Sequence, residues 1–379
     1  MAMAHLAWRN LTREWARFGV TAMGVGLAVA LMLSQAGILL GFAIDTARMV
    51  NGAKADIWIA CKDSTSYDMS LPFPERKFYK ALGVPGVACG EKVIMVWSMA
   101  RIPGRGMKNV QVVGFNPESA AGGPWQMAEG SVSRLRGGPF AIVDGSSALN
   151  LGGTLHPGDK VEVMDHALRI VGVSREAKAL TTSSFIFTSF DTARRICRDL
   201  IDPDEITFGL LWVKPGADIG IVAQAVRGSV SNVDVYTTPG YSRKTQFYWL
   251  FTTGMGIGFL TIAVLGFVVG LVVVGQSLYA STMDRLPEYG VLKALGSTNA
   301  QVAGLVLTHA ALVAAVGYAL GVGLAFGAKS GYESTGMTLV LTPSLLGGTL
   351  VAAMVMCMSG ALISVRRIVR VDPASVFRT

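Results

Sequence analysis

Two histidines and two aspartates offer the clearest prospect of metal chemistry in this sequence. His156 and His166 lie close along the chain to Asp159 and Asp165, and imidazole and carboxylate groups are common metal ligands. Their spacing matches no established ligand pattern, and the run 157–159, Pro-Gly-Asp, is ordinary turn chemistry. We therefore predict a turn here and no metal site.

Two other short runs resemble catalytic motifs only in part. Ser146 lacks the G-x-S-x-G sequence that exposes a nucleophilic serine on a sharp turn. The run 327–330, Gly-Ala-Lys-Ser, looks like the end of a phosphate-binding loop, but Ala328 intrudes and no complete G-x-x-x-x-G-K-[ST] occurs. We predict a non-catalytic chain with no catalytic residues and no cofactor.

The composition indicates a membrane protein. Of the 379 residues, 51% are apolar and only 15% are charged, whereas soluble domains carry about 25% charged residues. The net charge of +8 would fit a nucleic-acid partner, but the sequence has no basic run with interleaved aromatic residues. Basic residues that flank membrane spans explain the charge better, so we exclude nucleic acid as a partner.

Four apolar runs each reach the roughly 20 residues that cross a bilayer. They are approximately Phe18–Ile44, Phe247–Gly275, Val302–Ala328 and Leu345–Val365. The first follows a basic segment but is far longer than the apolar part of a signal peptide, so we interpret it as an uncleaved anchor. Ser34, Gln35 and His309 are the conspicuous polar residues within the runs, and no Asp, Glu, Lys or Arg lies there, which argues against a proton-driven transporter or a channel.

Basic residues indicate the orientation of the four spans. They are concentrated before the first span, between the second and third, and after the fourth, whereas the short loop between the third and fourth has Lys329 alone. Because Lys and Arg favour cytoplasmic loops, both termini and the central loop are predicted to be cytoplasmic. The first 17 residues also have an amphipathic pattern, which predicts a helix in the membrane interface. The predicted cytoplasmic anchor residues are Arg9, Arg13, Arg17, Arg366, Arg367 and Arg370.

The long segment between the first two spans is predicted to be an α+β domain outside the cytoplasm. Alternating apolar residues and turn residues predict its strands, and a Gly-rich patch near residue 122 marks the start of an inserted lobe. The predicted strands are 55–60, 91–102, 108–115, 141–144, 160–164, 168–173, 185–187, 206–213 and 233–236, and the predicted helices are 74–82, 190–200 and 223–230. Three cysteines lie here, so a Cys61–Cys89 bridge and free thiols both remain open.

A short polar segment, residues 276–301, separates the second and third spans. Asp284 is a plausible N-cap and Pro287 suits the first turn of a helix. Gly296 is a helix stop, and Ser297 or Thr298 is suited to cap the next helix.

This predicted helix is too short to cross the bilayer, since a span needs about 20 residues. It must lie at the membrane surface. Tyr289, Leu292 and Leu295 are costly to leave in water, so we expect the helix to present them to a partner. Glu288 is the best single polar contact, although an acidic residue early in a helix is also explained by the helix dipole alone.

The segment LYASTMDRLPEYGVLKALGSTNAQVAGLVL resembles the coupling loop of ABC-transporter permeases of the MacB/FtsX type, most closely that of DevC-like exporter permeases. The tail SVRRIVRVDPASVFR resembles the basic run and Asp-Pro-Ala that end this family. VDGSSALNLGGTLHPGDKVEV and LRIVGVSR resemble its inserted periplasmic lobe. The resemblance implies an α-helical membrane protein with four transmembrane helices, both termini cytoplasmic, and a large α+β periplasmic domain between the first and second spans.

The resemblance also implies a function and partners. Such permeases work in pairs in the bacterial inner (plasma) membrane, and each copy engages an ATPase through the cytoplasmic loop. Here the ATPase is expected on a separate subunit, and a periplasmic adaptor and an outer-membrane channel are expected downstream. The expected ATPase-coupling residues are Leu286, Glu288, Tyr289, Gly290, Leu292, Lys293, Leu295 and Gly296. Two other functions share this topology: an FtsX-like regulator of a cell-wall hydrolase and a LolC/LolE-like lipoprotein-releasing permease.

The sequence thus predicts nine consecutive parts. In order they are a cytoplasmic interfacial helix 1–17, span 18–46, a periplasmic MacB-like domain 47–246 with an inserted lobe at about 121–203, span 247–276, a coupling loop 277–301, span 302–328, a short periplasmic loop 329–344, span 345–365 and a cytoplasmic tail 366–379.

The orientation is testable by labelling single cysteines with a membrane-impermeant reagent. In intact cells with a permeabilised outer membrane, a cysteine at Ser64 should be labelled and one at Ser297 should not, because the basic residues place the central loop inside. Labelling at Ser297 without labelling at Ser64 would contradict the orientation.

Overall fold

The computed structural model describes residues 15–148, 150–175 and 184–369. The chain divides into two compact units. One comprises the residues up to Gly41 and from Gly256 onward, and the other comprises Phe42–Met255.

The described residues contain ten α-helices, of which four are long and apolar enough to cross a membrane. These four are α1, α7, α9 and α10, in agreement with the four predicted spans. In chain order the helices are α1 (Trp15–Asp45), α2 (Arg48–Gly52), α3 (Glu75–Leu82), α4 (Phe190–Ile196), α5 (Ile219–Ser229), α6 (Thr238–Phe247), α7 (Met255–Asp284), α8 (Leu286–Ala294), α9 (Asn299–Ser334) and α10 (Pro343–Val369).

Three ends of the long helices differ from the predicted span boundaries by six or more residues, and one of these is the end of α7, which extends to Asp284 instead of residue 276. The second long helix begins at Met255 rather than at residue 247, because a π-helical turn, Tyr248–Thr252, and Gly254 at φ +78° separate it from α6. Hydropathy does not register such a break, since the turn is itself apolar. The third long helix extends into the predicted loop 329–344 and ends at Ser334, two residues before Gly336, which has φ +87°.

Glycines allow α1 and α9 to approach closely. A methyl group on Gly321 would lie 2.6 Å from the carbonyl oxygen of Gly26, and one on Gly317 would lie 2.5 Å from Cβ of Val25. Small residues at four-residue spacing permit this kind of contact between membrane helices. The similar pair Gly323 and Gly327, by contrast, has nothing within 4 Å of either position. The spacing alone therefore does not reveal which glycine pair is used.

Among the described residues of the second unit, the strands form one ten-stranded sheet and one two-stranded sheet. The order in the large sheet is β12-β1-β11-β3-β4-β9-β6-β8-β5, with β7 paired to β3 and β8, and the small sheet is β10-β2. The strands are β1 (Ile57–Cys61), β2 (Phe73–Pro74), β3 (Val87–Ile102), β4 (Gly106–Phe115), β5 (Met127–Glu129), β6 (Phe140–Asp144), β7 (Lys160–Val163), β8 (His166–Ser174), β9 (Ser184–Ser189), β10 (Glu205–Ile206), β11 (Phe208–Val213) and β12 (Val233–Thr237).

The last strands of the domain pair with its first strand. The position of these last strands, just before the second span, predicts this pairing. Ile57 on β1 lies opposite Leu211 on β11 and opposite Thr237 on β12. The 16-residue β3 pairs with β11 along its first half and with β4 and β7 along its second half. The predicted lobe 121–203 consequently continues the same sheet, since β9 runs parallel to β4.

The four cysteines, Cys61, Cys89, Cys197 and Cys357, are free thiols, so Cys61 and Cys89 are not bridged. Ser64, at 5% exposure, is a poor labelling position. Lys62 is exposed, so a cysteine there, in a chain whose native cysteines are replaced by serine, makes a better external probe.

An ion cluster joins α3, β3 and α4. Glu75 accepts hydrogen bonds from Lys92 at 2.5 Å, from the Tyr79 hydroxyl at 2.8 Å and from Arg194 at 2.5 Å. Lys92 and Arg194 also lie over the ring of Phe190, at 5.0 and 4.7 Å. Burial alone would raise the pKa of Glu75, but the hydrogen bonds from Lys92, Tyr79 and Arg194 outweigh it and lower this pKa to about 2.

The stabilisation from Glu75 should depend on pH. Because its pKa is depressed in the folded protein, its contribution is present above the unfolded pKa of about 4.3 and is lost as the pH falls toward 2. Glu75→Gln should lower the apparent Tm of the detergent-solubilised protein at pH 7, and the difference from wild type should shrink between pH 4.5 and 2. Asp199→Asn, whose side chain is 86% exposed, is the control, and a pH-independent Glu75→Gln difference would contradict the assignment.

Candidate functional site

The short helix α8 follows α7 after a single residue. Arg285, at φ −96° and ψ 8°, separates the two helices, and Pro287 in the first turn of α8 lacks the N–H that a continuous helix would need. The predicted N-cap at Asp284 is wrong: Arg285 holds that position and makes no side-chain capping bond. The break thus depends on the proline and the Arg285 backbone, and not on a polar cap.

The C-terminal end of α8 is a complete Schellman motif. Gly296 has φ +97°, its N–H donates to the Lys293 carbonyl, and the Ser297 N–H donates to the Leu292 carbonyl, both at 3.0 Å. These two bonds satisfy carbonyls that the end of a helix otherwise leaves without partners. The predicted stop at Gly296 is confirmed.

The next residues start α9 with a reciprocal capping box. The Thr298 side chain accepts from the Gln301 N–H at 3.3 Å, and the Gln301 side chain accepts from the Thr298 N–H at 2.9 Å. Of the two predicted caps, Ser297 and Thr298, the residue that caps α9 is therefore Thr298. Hydrogen bonds therefore define both the end of α8 and the start of α9, and only a short connection separates the two caps.

Helical spacing divides α8 and the residue after it into two faces. Residues three and four apart share a face of a helix. The inner face consists of Leu286, Tyr289, Gly290 and Lys293, all buried or half-buried, and the outer face consists of Glu288, Val291, Leu292 and Leu295, all exposed.

Tyr289 lies on the inner face, so the prediction that it is presented to a partner is wrong. It is 8% exposed and belongs to the apolar cluster that includes Leu278, Val302 and Val306. A small cavity of about 20 Å³, lined also by His309, lies beside it. The sequence of a polar loop does not show whether an aromatic residue in it is buried or exposed. Here Tyr289 is buried because it packs against α7 and α9.

The outer face carries an exposed apolar surface, which we call the outer apolar face: Val291, Leu292 and Leu295. Their exposures are 46%, 37% and 80%. Val291 was missed by the sequence reasoning, although its spacing from Glu288 and Leu295 shows that it shares their face. Glu288 borders this surface and is also exposed.

The predicted cytoplasmic anchor is described only in part. Arg366 lies near the end of α10 and is exposed. Arg17 lies in α1 and Arg367 lies in α10, but the structure describes only the backbone of these two residues. Arg9, Arg13 and Arg370, like most of the predicted interfacial helix, lie outside the described residues.

The predicted turn near the histidines is present. The Asp159 carboxylate accepts the His156 N–H at 2.9 Å, and His166 Nδ1 lies 2.7 Å from the Met164 carbonyl oxygen. Within residues 15–148, 150–175 and 184–369, no group of three or more His, Cys, Asp or Glu side chains is placed to hold a metal ion.

Comparison with protein-family models shows the family to which this chain belongs. The profile of the MacB-like periplasmic core domain matches residues 18–229, more than half of the chain, and that of the FtsX-like permease C-terminal domain matches residues 240–373. The chain belongs to the MacB/FtsX-type ABC transporter permeases. This permease is a multi-pass protein of the inner membrane, with a MacB-like periplasmic domain between its first two membrane helices.

Known proteins resemble this permease over different lengths. An uncharacterized ABC transporter permease of Mycobacterium tuberculosis is 25% identical over 378 residues, 99% of both chains. The macrolide export ATP-binding/permease protein MacB of Rhodopseudomonas palustris is 33% identical over 110 residues, 29% of this permease and 16% of that protein. The crystal structure of the periplasmic region of MacB from Actinobacillus actinomycetemcomitans is 8% identical, with a TM-score of 0.39, and the similarity covers 51% of this permease and 94% of that chain.

The joint between α8 and α9 can be tested through Gly296. Gly296→Ala places a Cβ on a residue at φ +97°, which costs about 1–2 kcal/mol in the left-handed region. We expect a lower apparent Tm in detergent and faster hydrogen exchange across residues 286–301.

Gly304→Ala is the matched control for this substitution. Gly304 lies inside α9 with nothing within 4 Å of an added Cβ, so this change should leave both measurements unaltered or raise the stability slightly. Equal effects of the two substitutions would show that the left-handed glycine does not hold the joint.

Proposed function

We propose that this permease is the membrane subunit of an ATP-driven exporter, in which α8 is the coupling helix and a separate ATPase subunit docks on the outer apolar face. The observation that carries the proposal is the combination of this exposed surface with the short connection between α8 and α9, which is bounded by a Schellman motif on one side and a capping box on the other. A loop that merely connects two spans needs neither feature.

Burial energetics favour an apolar contact. Fully burying a Leu or Val side chain stabilises an interface by about 1.5–3 kcal/mol, whereas an exposed ion pair contributes at most about 1 kcal/mol. Leu295 and Val291 have the most area left to bury. Glu288, at the border of the same face, then serves as a polar contact that orients the ATPase.

The joint supports transmission of motion along α9. Because the Schellman motif and the capping box leave little freedom between residues 295 and 298, a displacement of α8 is passed to α9. This helix has 36 residues, a length of about 54 Å at 1.5 Å per residue. In the proposed mechanism, ATP-driven movement of the ATPase pushes α8, and the periplasmic domain responds by handing on cargo without a channel through the spans.

Further partners belong to the same proposal. A second permease copy, most simply an identical one, provides the second ATPase contact, and a periplasmic adaptor and outer-membrane channel receive the cargo. The name of the related Rhodopseudomonas palustris protein includes export, which supports this direction of transport.

Acidic substitutions on the outer apolar face test the docking. Leu292→Asp and Leu295→Asp should each abolish co-purification of the ATPase in mild detergent, or uncouple ATP hydrolysis from export, because a carboxylate would be buried in an apolar contact. Glu288→Gln should have a smaller effect.

Asn299→Asp is the control because it adds the same charge at an exposed position just beyond α8, where the start of a helix tolerates it. All variants are compared at matched membrane levels. If the double variant Leu292→Asp/Leu295→Asp still binds the ATPase and exports normally, α8 is not the coupling helix.

Depletion of the permease distinguishes export from the two functions that share its topology. Loss of export through an adaptor is the expected result. Accumulation of lipoproteins in the inner membrane would instead indicate lipoprotein release, and loss of a bound cell-wall hydrolase would indicate an FtsX-like regulator.

A further inference from the structure

The periplasmic sheet has a groove of about 550 Å³ on its exposed face, where β3, β4 and β7 lie side by side. Three methionines line it, Met99 on β3, Met107 on β4 and Met164 in the turn directly after β7, together with Trp97. The combination of three thioethers and an indole in one groove is the feature to be explained.

The strand register brings the three methionines together. Met99 lies opposite Asn109 on β4, so Met107, two residues away, is its diagonal neighbour. On the other side of β3, Ala100 lies opposite Val163, the residue before Met164, and both Met99 and Met164 line the groove. Diagonal neighbours on one face of a sheet are about 7–8 Å apart at the backbone, within reach of long side chains.

Two of these methionines are half-exposed. Met99 is 50% exposed and Met107 is 49% exposed. Leu or Val would supply the same apolar surface on a strand, so apolarity alone does not account for sulfur at all three positions. Thioethers differ from aliphatic groups in being soft ligands, which select Cu(I) among biological metals.

Trp97 and two acidic residues complete an environment that suits a cation. The Trp97 indole N–H donates to the Asp68 carbonyl at 2.6 Å, which fixes the ring beside the methionines. The face of an indole attracts a cation. Glu162 and Asp165 also line the groove, and Arg101, which lies 3.7 Å from Glu162, neutralises only one of these two charges.

We propose that Met99, Met107 and Met164, with Trp97 beside them, form a periplasmic binding site for a soft monovalent cation of the Cu(I)/Ag(I) class. The three sulfurs are the ligands, the indole covers the cation, and the carboxylates attract it. This site lies apart from α8, and the inference holds whether or not an ATPase docks there.

The probe is Ag(I), which does not change oxidation state under the conditions of the test. The full-length permease is labelled with ¹³C at its methionine methyl groups and purified in detergent. Cys61 and Cys89 are replaced by serine because free thiols compete for the ion. The methyl resonances of Met99, Met107 and Met164 should shift together and saturate at one Ag(I) per chain.

Met→Leu substitutions separate a metal site from a merely apolar groove. Leu keeps the apolar volume and removes the sulfur, so Met99→Leu and Met107→Leu should each weaken Ag(I) binding at least tenfold, and the triple variant with Met164→Leu should not bind. Met69→Leu is the matched control, because Met69 is 46% exposed in the same domain but does not line the groove. It should leave the affinity unchanged.

Three results would overturn the proposal. The first is that the triple variant binds Ag(I) as tightly as the parent. The second is that the methyl resonance of Met69 shifts together with those of the three methionines. The third is that no methyl resonance of the three methionines shifts at one equivalent of Ag(I). Unaltered binding of an apolar fluorophore to both parent and triple variant, without Ag(I) binding to either, would assign the groove to an apolar ligand instead. If Met164→Leu fails to fold at φ 49°, the Met99→Leu/Met107→Leu variant gives the same decision.

Discussion

The close approach of α1 and α9 is the contact on which the membrane unit depends. Within lipid, apolar helices gain little from the hydrophobic effect when they associate, so contact area and fit must hold them together. Gly317 and Gly321 allow α9 to meet the backbone of α1 near Gly26. Because only a short connection separates the Schellman motif that ends α8 from the capping box that begins α9, the outer apolar face lies next to the start of the helix that this glycine contact positions.

The elements of this permease that could be predicted from sequence are those determined by local chemistry. The alternation of apolar and polar residues predicted β3, β4 and β8 to within a few residues. Gly296 marked the end of α8 through its backbone preference, and Thr298 marked the start of α9 through its capping side chain. The errors at the start of the second span and at Tyr289 have another origin. Trp249 and Tyr289 are both apolar residues at the edge of a membrane helix, and only their three-dimensional neighbours decide whether such residues continue the span, turn back or pack inward.

A buried carboxylate links the groove to the segment that precedes α7. Asp68 accepts hydrogen bonds from Ser66 at 2.7 Å and from the Trp249 indole at 3.2 Å, while its backbone carbonyl receives the Trp97 indole. Burial raises the pKa of Asp68, and the bonds from Ser66 and Trp249 partly oppose this. A change at Trp97 thus has a direct hydrogen-bonded route through Asp68 to the π-helical turn that holds Trp249. No sequence pattern would connect residues 68, 97 and 249.

The two ends of the periplasmic domain meet. Its first and last strands, β1 and β12, are neighbours, and the Gln246 side chain donates to the carbonyl of Ala43 at 2.8 Å. A domain whose chain enters and leaves at adjacent points behaves as a cassette, since it occupies a single site in the remaining sequence whatever its size. Such a cassette can be enlarged, trimmed or exchanged in evolution without altering the length of any membrane helix.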